Sequence, residues 1–149
     1  MTWVGSRELI DTPLSVRSTS AAEIEIRRMA TEYTRAIAAG DRQKFLGFFA
    51  EDIVLMPPGQ PSTRGRQAAA VFSDPLFDQF VMHEQLEYDE LHAVGDWATG
   101  TFSYSFSVTP KTGGPTATEF GKGMAWLRRT LGGAWQFTHF VWNRDQGLE

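Results

Sequence analysis

Tyr33, His139, Lys122 and Asn143 are the side chains whose types and settings could serve chemistry on a carbonyl compound. Tyr33 falls on the apolar stripe of a helix. There its hydroxyl either donates into a cavity or finds a partner inside the core, as buried tyrosines do. His139 alternates with Trp135, Phe137, Val141 and Asn143 on one face of a strand. If that face is concave, a neutral imidazole near pH 7 is a general base within reach of a bound ligand. If it is convex, Phe140 and Trp142 fill the interior instead. The Trp-Phe-Val series is the more apolar alternation, so the concave assignment is expected. Lys122 shares a face with Met124, Trp126 and Arg128; its ammonium could hold an anionic ligand group or pair with Asp145 or Glu119. Pairing is the safer reading because an unpaired buried ammonium is costly. Trp126 is expected as pocket wall or subunit interface.

Other chemistries find no support. The 149 residues include no cysteine, which removes thiol nucleophiles, disulfides and thiolate metal sites together. His83, His92 and His139 lack the close spacing of zinc ligands. Regular alternation also puts His83 and His92 on opposite faces, with Glu84, Glu87, Asp89 and Glu90 read as a solvated acidic outer face. No metal or cofactor is expected. Gly113-Gly114 and Gly132-Gly133 precede no helix and no Lys-Ser/Thr ending, so they are turns and not phosphate loops. A net charge of −4 argues against nucleic acid. The opening residues lack a signal peptide's apolar core and no later run reaches membrane-spanning length, so a cytoplasmic protein is expected.

The elements that must position these side chains follow from periodicity. With 42% hydrophobic and 13% aromatic residues, one domain with a substantial core is available. Residues 1–19 read as an irregular arm whose Trp3, Leu9 and Ile10 could pack on the body or a neighbour. Ser20-Ala21-Ala22-Glu23 is a capping box, and Ile26, Met29, Ala30, Tyr33 and Ile37 form the stripe of a first helix. Gly40 stops it and Asp41 caps a second helix carrying Phe45, Leu46, Phe48 and Phe49 and ending near 50–52. Ile53 to Met56 reads as a short strand, and Arg66 to Phe72 as a third helix that Asp74-Pro75 restarts or turns. Four long runs follow, 83–94, 97–109, 118–129 and 134–144, separated by turn residues and predicting an antiparallel meander. The class is α+β, with helices on one face of the sheet. One domain is expected over 20–145, with 146–149 as a tail.

Several motifs in this order carry a resemblance: Ala39-Gly40-Asp41, Phe48-Phe49-Ala50-Glu51-Asp52, Pro57-Pro58-Gly59, Gly65-Arg66-Gln67-Ala68, Gly95-Asp96-Trp97-Ala98, Gly121-Lys122 and Trp142-Asn143-Arg144-Asp145. The chain resembles the SnoaL-like branch of the nuclear transport factor 2-like superfamily, which includes ketosteroid isomerases. The resemblance implies three helices against a curved, mainly antiparallel sheet in a cone, a pocket at one end, and frequent dimerisation through the sheet. It also implies a test of the isomerase residues. Tyr33 matches the helix-borne oxyanion donor. Met56 stands before Pro57 where relatives place a carboxylate base, and Gly121 to Leu127 offers only Lys122 where they place a second acid. One role of three is kept, which argues against steroid-type isomerisation by that mechanism. Asp145 loosely matches the acid of the related polyketide cyclases.

The function expected is therefore binding of a small apolar or carbonyl-containing molecule, with Tyr33, Met56, Lys122, Trp126, His139 and Asn143 as ligand contacts. Were it catalytic, the reaction would be cofactor-free proton transfer (an isomerase, cyclase or dehydratase), with Tyr33 polarising the carbonyl and His139 moving the proton. The alternative is a non-catalytic ligand-binding or association module. A homodimer is the expected oligomer.

Overall fold

The computed structural model describes residues 20–146; the expected arm over 1–19 lies outside them. Helix α1 spans Ala21–Ala39 and starts where Ser20 Oγ accepts from the Glu23 amide at 3.2 Å. It buries Ile26, Met29, Ala30, Tyr33, Ala36 and Ile37, the stripe read from the sequence plus Ala36. Gly40, at φ 67°, ends it in the left-handed conformation that glycine adopts without strain. Asp41 then caps α2, Arg42–Gly47, by accepting from the Lys44 amide.

The second helix is shorter than expected, because Phe49 already belongs to strand β1, Phe49–Met56. The Phe137 amide donates to the Phe48 carbonyl at 2.8 Å, so sheet pairing claims the chain as soon as α2 ends. Strand β2 is only Thr63–Arg64. Helix α3 runs unbroken over Arg66–Gln79 with Pro75 inside it, where a restart or turn was expected. Tertiary packing outweighs the proline: Ala69, Ser73 and Phe77 are buried at i, i+4 and i+8 on one face. Ser73 Oγ donates to the Ala69 carbonyl.

Strands β3 (Phe80–Val94), β4 (Trp97–Pro110), β5 (Ala117–Arg129) and β6 (Trp135–Arg144) form the expected antiparallel meander. The sheet order is β2-β1-β6-β5-β4-β3, with β1 parallel to β6. The architecture is α+β, with helices covering one face of a curved, mostly antiparallel sheet. Rings from β4 lie over glycines of β5: a Cβ at Gly121 would overlap Tyr104 and the Asn143 carbonyl, and one at Gly123 would overlap Phe102 and the Val141 carbonyl. Those two positions let bulky rings lie flat on the inner wall.

Two bulges decide which residues face inward. In β6 the register to β5 shifts between Trp126↔His139 and Leu127↔Phe137, leaving Thr138 as the extra residue. Its hydroxyl donates to the Trp126 carbonyl at 3.2 Å. In β3 a shift between Tyr88 and Glu90 leaves Asp89 extra. Each bulge reverses the alternation beyond it. Among the described residues no helix is long and apolar enough to cross a membrane.

Candidate functional site

A cavity of about 450 Å³ lies between the helices and the concave sheet face, a volume within the usual range for small-molecule sites. Tyr33 and Ile37 from α1, Phe45 from α2, Leu55 and Pro57 from the β1 end, Phe72 and Phe77 from α3, and Phe140 and Trp142 from β6 give it a largely aromatic wall. Polar groups come from Gln60, Ser73 and Thr118 and, along the sheet, from Glu84 on β3, Tyr104 on β4, Glu119 on β5 and Arg144 on β6.

Tyr33 sits in a nest of rings, 5.5 Å from Phe45 and 5.4 Å from Phe137 between centroids. Burial pushes its hydroxyl well above the usual tyrosine range, and the Glu84 carboxylate adds to the effect. It therefore stays a neutral donor. Glu84 lies on the inner phase of β3 with Met82, Leu86 and Tyr88. Burial pushes its carboxyl up to about 8, with the negative charge of Glu119 as the second cause. Neither the Tyr33 hydroxyl nor the Glu84 carboxyl has a hydrogen-bonding side-chain partner among the described residues. Glu119, by contrast, is paired: Arg144 Nε donates to its Oε2, and the Tyr104 hydroxyl lies 3.5 Å from its Oε1. Chemically, the site offers a neutral phenol donor and a carboxyl group that exchanges its proton near neutral pH, both facing apolar space.

The expected ligand contacts divide sharply. Tyr33 lines the cavity. His139 is exposed on the outer face, 6.3 Å from the Trp126 ring, because the Thr138 bulge sends it outward and turns Phe140 and Trp142 inward. The concave assignment is thus corrected, and with it the placing of His139 and Asn143 at the pocket. Lys122 also points outward and pairs with Asp145 at 2.8 Å. Trp126 is 48% exposed on the same outer face. Met56 is half-buried but does not line the cavity; its neighbours Leu55 and Pro57 do. His83 and His92 share the outer face, since the Asp89 bulge lies between them.

Glu84 was read as part of a solvated acidic face, and the structure places it inside. The signal was present in the alternation Met82, Glu84, Leu86, Tyr88 against His83, Gln85, Glu87, which puts this one glutamate in the apolar phase. Glu119 likewise shares its phase with Gly121, Gly123, Ala125 and Leu127. Arg144 could be placed only by knowing the bulge.

The SnoaL-like domain profile matches residues 30–137, and the chain belongs to that family. No curated protein sequence matches significantly. Among solved structures, a conserved protein from Planctomyces limnophilus is similar, with 22% identity over 83% of this chain and 98% of that one, at a TM-score of 0.76. A ketosteroid isomerase-like protein from Erwinia carotovora has 22% identity over 83% and 96%, at a TM-score of 0.71. An NTF2-like protein with a cystatin-like fold from Novosphingobium aromaticivorans has 21% identity over 84% and 82%, at 0.69. These likenesses establish the fold. The chain is a SnoaL-like protein built around a cavity of small-molecule size.

Proposed function

We propose that this protein binds an apolar carbonyl compound and catalyses its enolisation without a cofactor, with Glu84 as the proton carrier and Tyr33 as the oxyanion donor. The observation that carries the reading is the unpaired Glu84 carboxyl in an apolar cavity that the Tyr33 hydroxyl also borders. Ionised Glu84 removes a proton from the carbon next to the carbonyl. The C–H electron pair becomes the new C=C bond, and the carbonyl π pair moves onto oxygen, where Tyr33 donates to it. Glu84 then returns the proton to carbon. A carboxyl poised near 8 is a stronger base than an ordinary glutamate and is still partly ionised at neutral pH. Glu84 takes over the role that the sequence suggested for His139.

The test is α-hydrogen exchange of an arene-fused cyclic ketone such as 2-tetralone in D₂O, followed by mass spectrometry. The wild-type protein is expected to accelerate exchange. Glu84→Gln is expected to lower that rate by about 100-fold or more, and Tyr33→Phe by a comparable order. Equal rates in wild type and both variants would sink the assignment.

The outer sheet face supports a homodimer. Trp97, Phe120, Met124 and Trp126 are 41–61% exposed there, an apolar surface of the kind that marks an interaction site.

A further inference from the structure

The polar end of the cavity is asymmetric in its hydrogen bonding. Among the described residues Arg144 meets one acid, Glu119, and it does so through Nε alone. Its two terminal nitrogens carry no hydrogen-bond partner among the described residues, while Arg144 lines the cavity with its side chain only 32% exposed. A planar fork with two free donors fits a planar group bearing two oxygens, and such paired bonds are among the stronger recognition contacts. Glu84 and Arg144 stand on β3 and β6, with β4 and β5 between them. Three strand spacings of about 4.8 Å give a span on the order of 14 Å along the unrolled sheet, and the curvature shortens the straight path. The wall between them is aromatic, with Phe106, Phe140 and Trp142 along the way.

We propose that the ligand is an aromatic keto acid of roughly two fused rings, its carboxylate held by the terminal nitrogens of Arg144 and its carbonyl end at Tyr33. This rests on the enolisation reading for the carbonyl end, while the Arg144 contact is a separate prediction about binding. Glu119 has a defined place in it. By occupying Nε it fixes the fork's direction, and by its negative charge it limits how tightly a second carboxylate is held.

The experiment is titration calorimetry with a matched pair of probes that carry the ketone and the carboxyl at opposite ends of two fused rings, 6-acetyl-2-naphthoic acid and its primary amide. The wild-type protein is expected to bind the acid about 10-fold or more tightly than the amide, the order of a charge-assisted pair. Arg144→Gln should abolish that preference, and Arg144→Lys should keep only part of it because a point charge replaces the fork. Glu119→Gln should tighten binding of the acid and leave the amide unchanged, which a merely structural pair would not produce. Tyr33→Phe should weaken both probes equally. Equal binding of acid and amide, no binding of either, or an unchanged preference in Arg144→Gln overturns the proposal. Each of those results would leave ketone exchange by Glu84 and Tyr33 standing, and loss of exchange would leave the acid preference standing.

Discussion

At the scale of single residues, Glu84 is a costly side chain to bury. A carboxyl taken from water into an aromatic cavity without a partner disfavours its own charge, and the protein answers by holding the proton to about pH 8 instead of near 4.5. The effect on stability has a definite sign. Between those two values the folded chain binds more protons than the unfolded one, so stability falls as pH rises. Below about 4.5 both states are protonated, and above about 8 both are ionised, so the fall is confined to that window. Glu84→Gln removes it. Thermal or urea unfolding is therefore expected to give the same stability for wild type and variant at pH 4. By pH 9 the variant should be more stable by a few kcal/mol, since each pH unit is about 1.4 kcal/mol. A gap that does not change with pH would mean that the carboxyl is hydrated.

At the scale of elements, the glycines of β5 and the bulges of β3 and β6 shape the wall. Gly123→Ala would press a methyl group into the Val141 carbonyl and the Phe102 ring, both parts of the packed sheet with little freedom to yield. Overpacking of that kind costs roughly 1–3 kcal/mol. Urea denaturation should read a loss of that size, whereas Gly47→Ala, whose Cβ would meet nothing within 4 Å, should read little. The same features explain what could be read in advance. The α1 stripe, its Gly40 stop and the four-strand meander follow from local periodicity and turn chemistry. The bulges do not, because an extra residue leaves no mark in a hydrophobic pattern that is apolar on both phases: Trp135, Phe137, Phe140 and Trp142 satisfy either register in part. The site inherited that ambiguity. Tyr33, on a helix, was placed correctly by the stripe; His139, beyond Thr138, was placed on the wrong face.

At the scale of the whole molecule, the helices cover one face of the sheet, and the other carries an uncovered apolar patch among its polar residues. Trp126 on the other face lies beside His139, and Arg128 sits 5.7 Å over the Trp97 ring while reaching Asp52 at 3.0 Å. Light scattering on a sizing column is expected to give twice the chain mass for wild type at about 10 μM, an ordinary protein concentration, if buried area of this type drives pairing. Trp126→Glu would place a charge in the apolar contact and should give the single-chain mass with an unchanged circular dichroism spectrum. A wild-type chain already running as a monomer would end the idea.

The Thr138 bulge also says how near this fold stands to a different chemistry. If Thr138 were paired as a regular strand residue instead of bulging out, the two sides of the distal half of β6 would be exchanged. Phe140 and Trp142 would leave the cavity, and His139, Val141 and Asn143 would enter it. The ligand-facing wall of β6 is thus set less by which side chains the strand carries than by whether one residue is left out of the pairing before them. In such a strand, a binding site can change its repertoire without a single substitution.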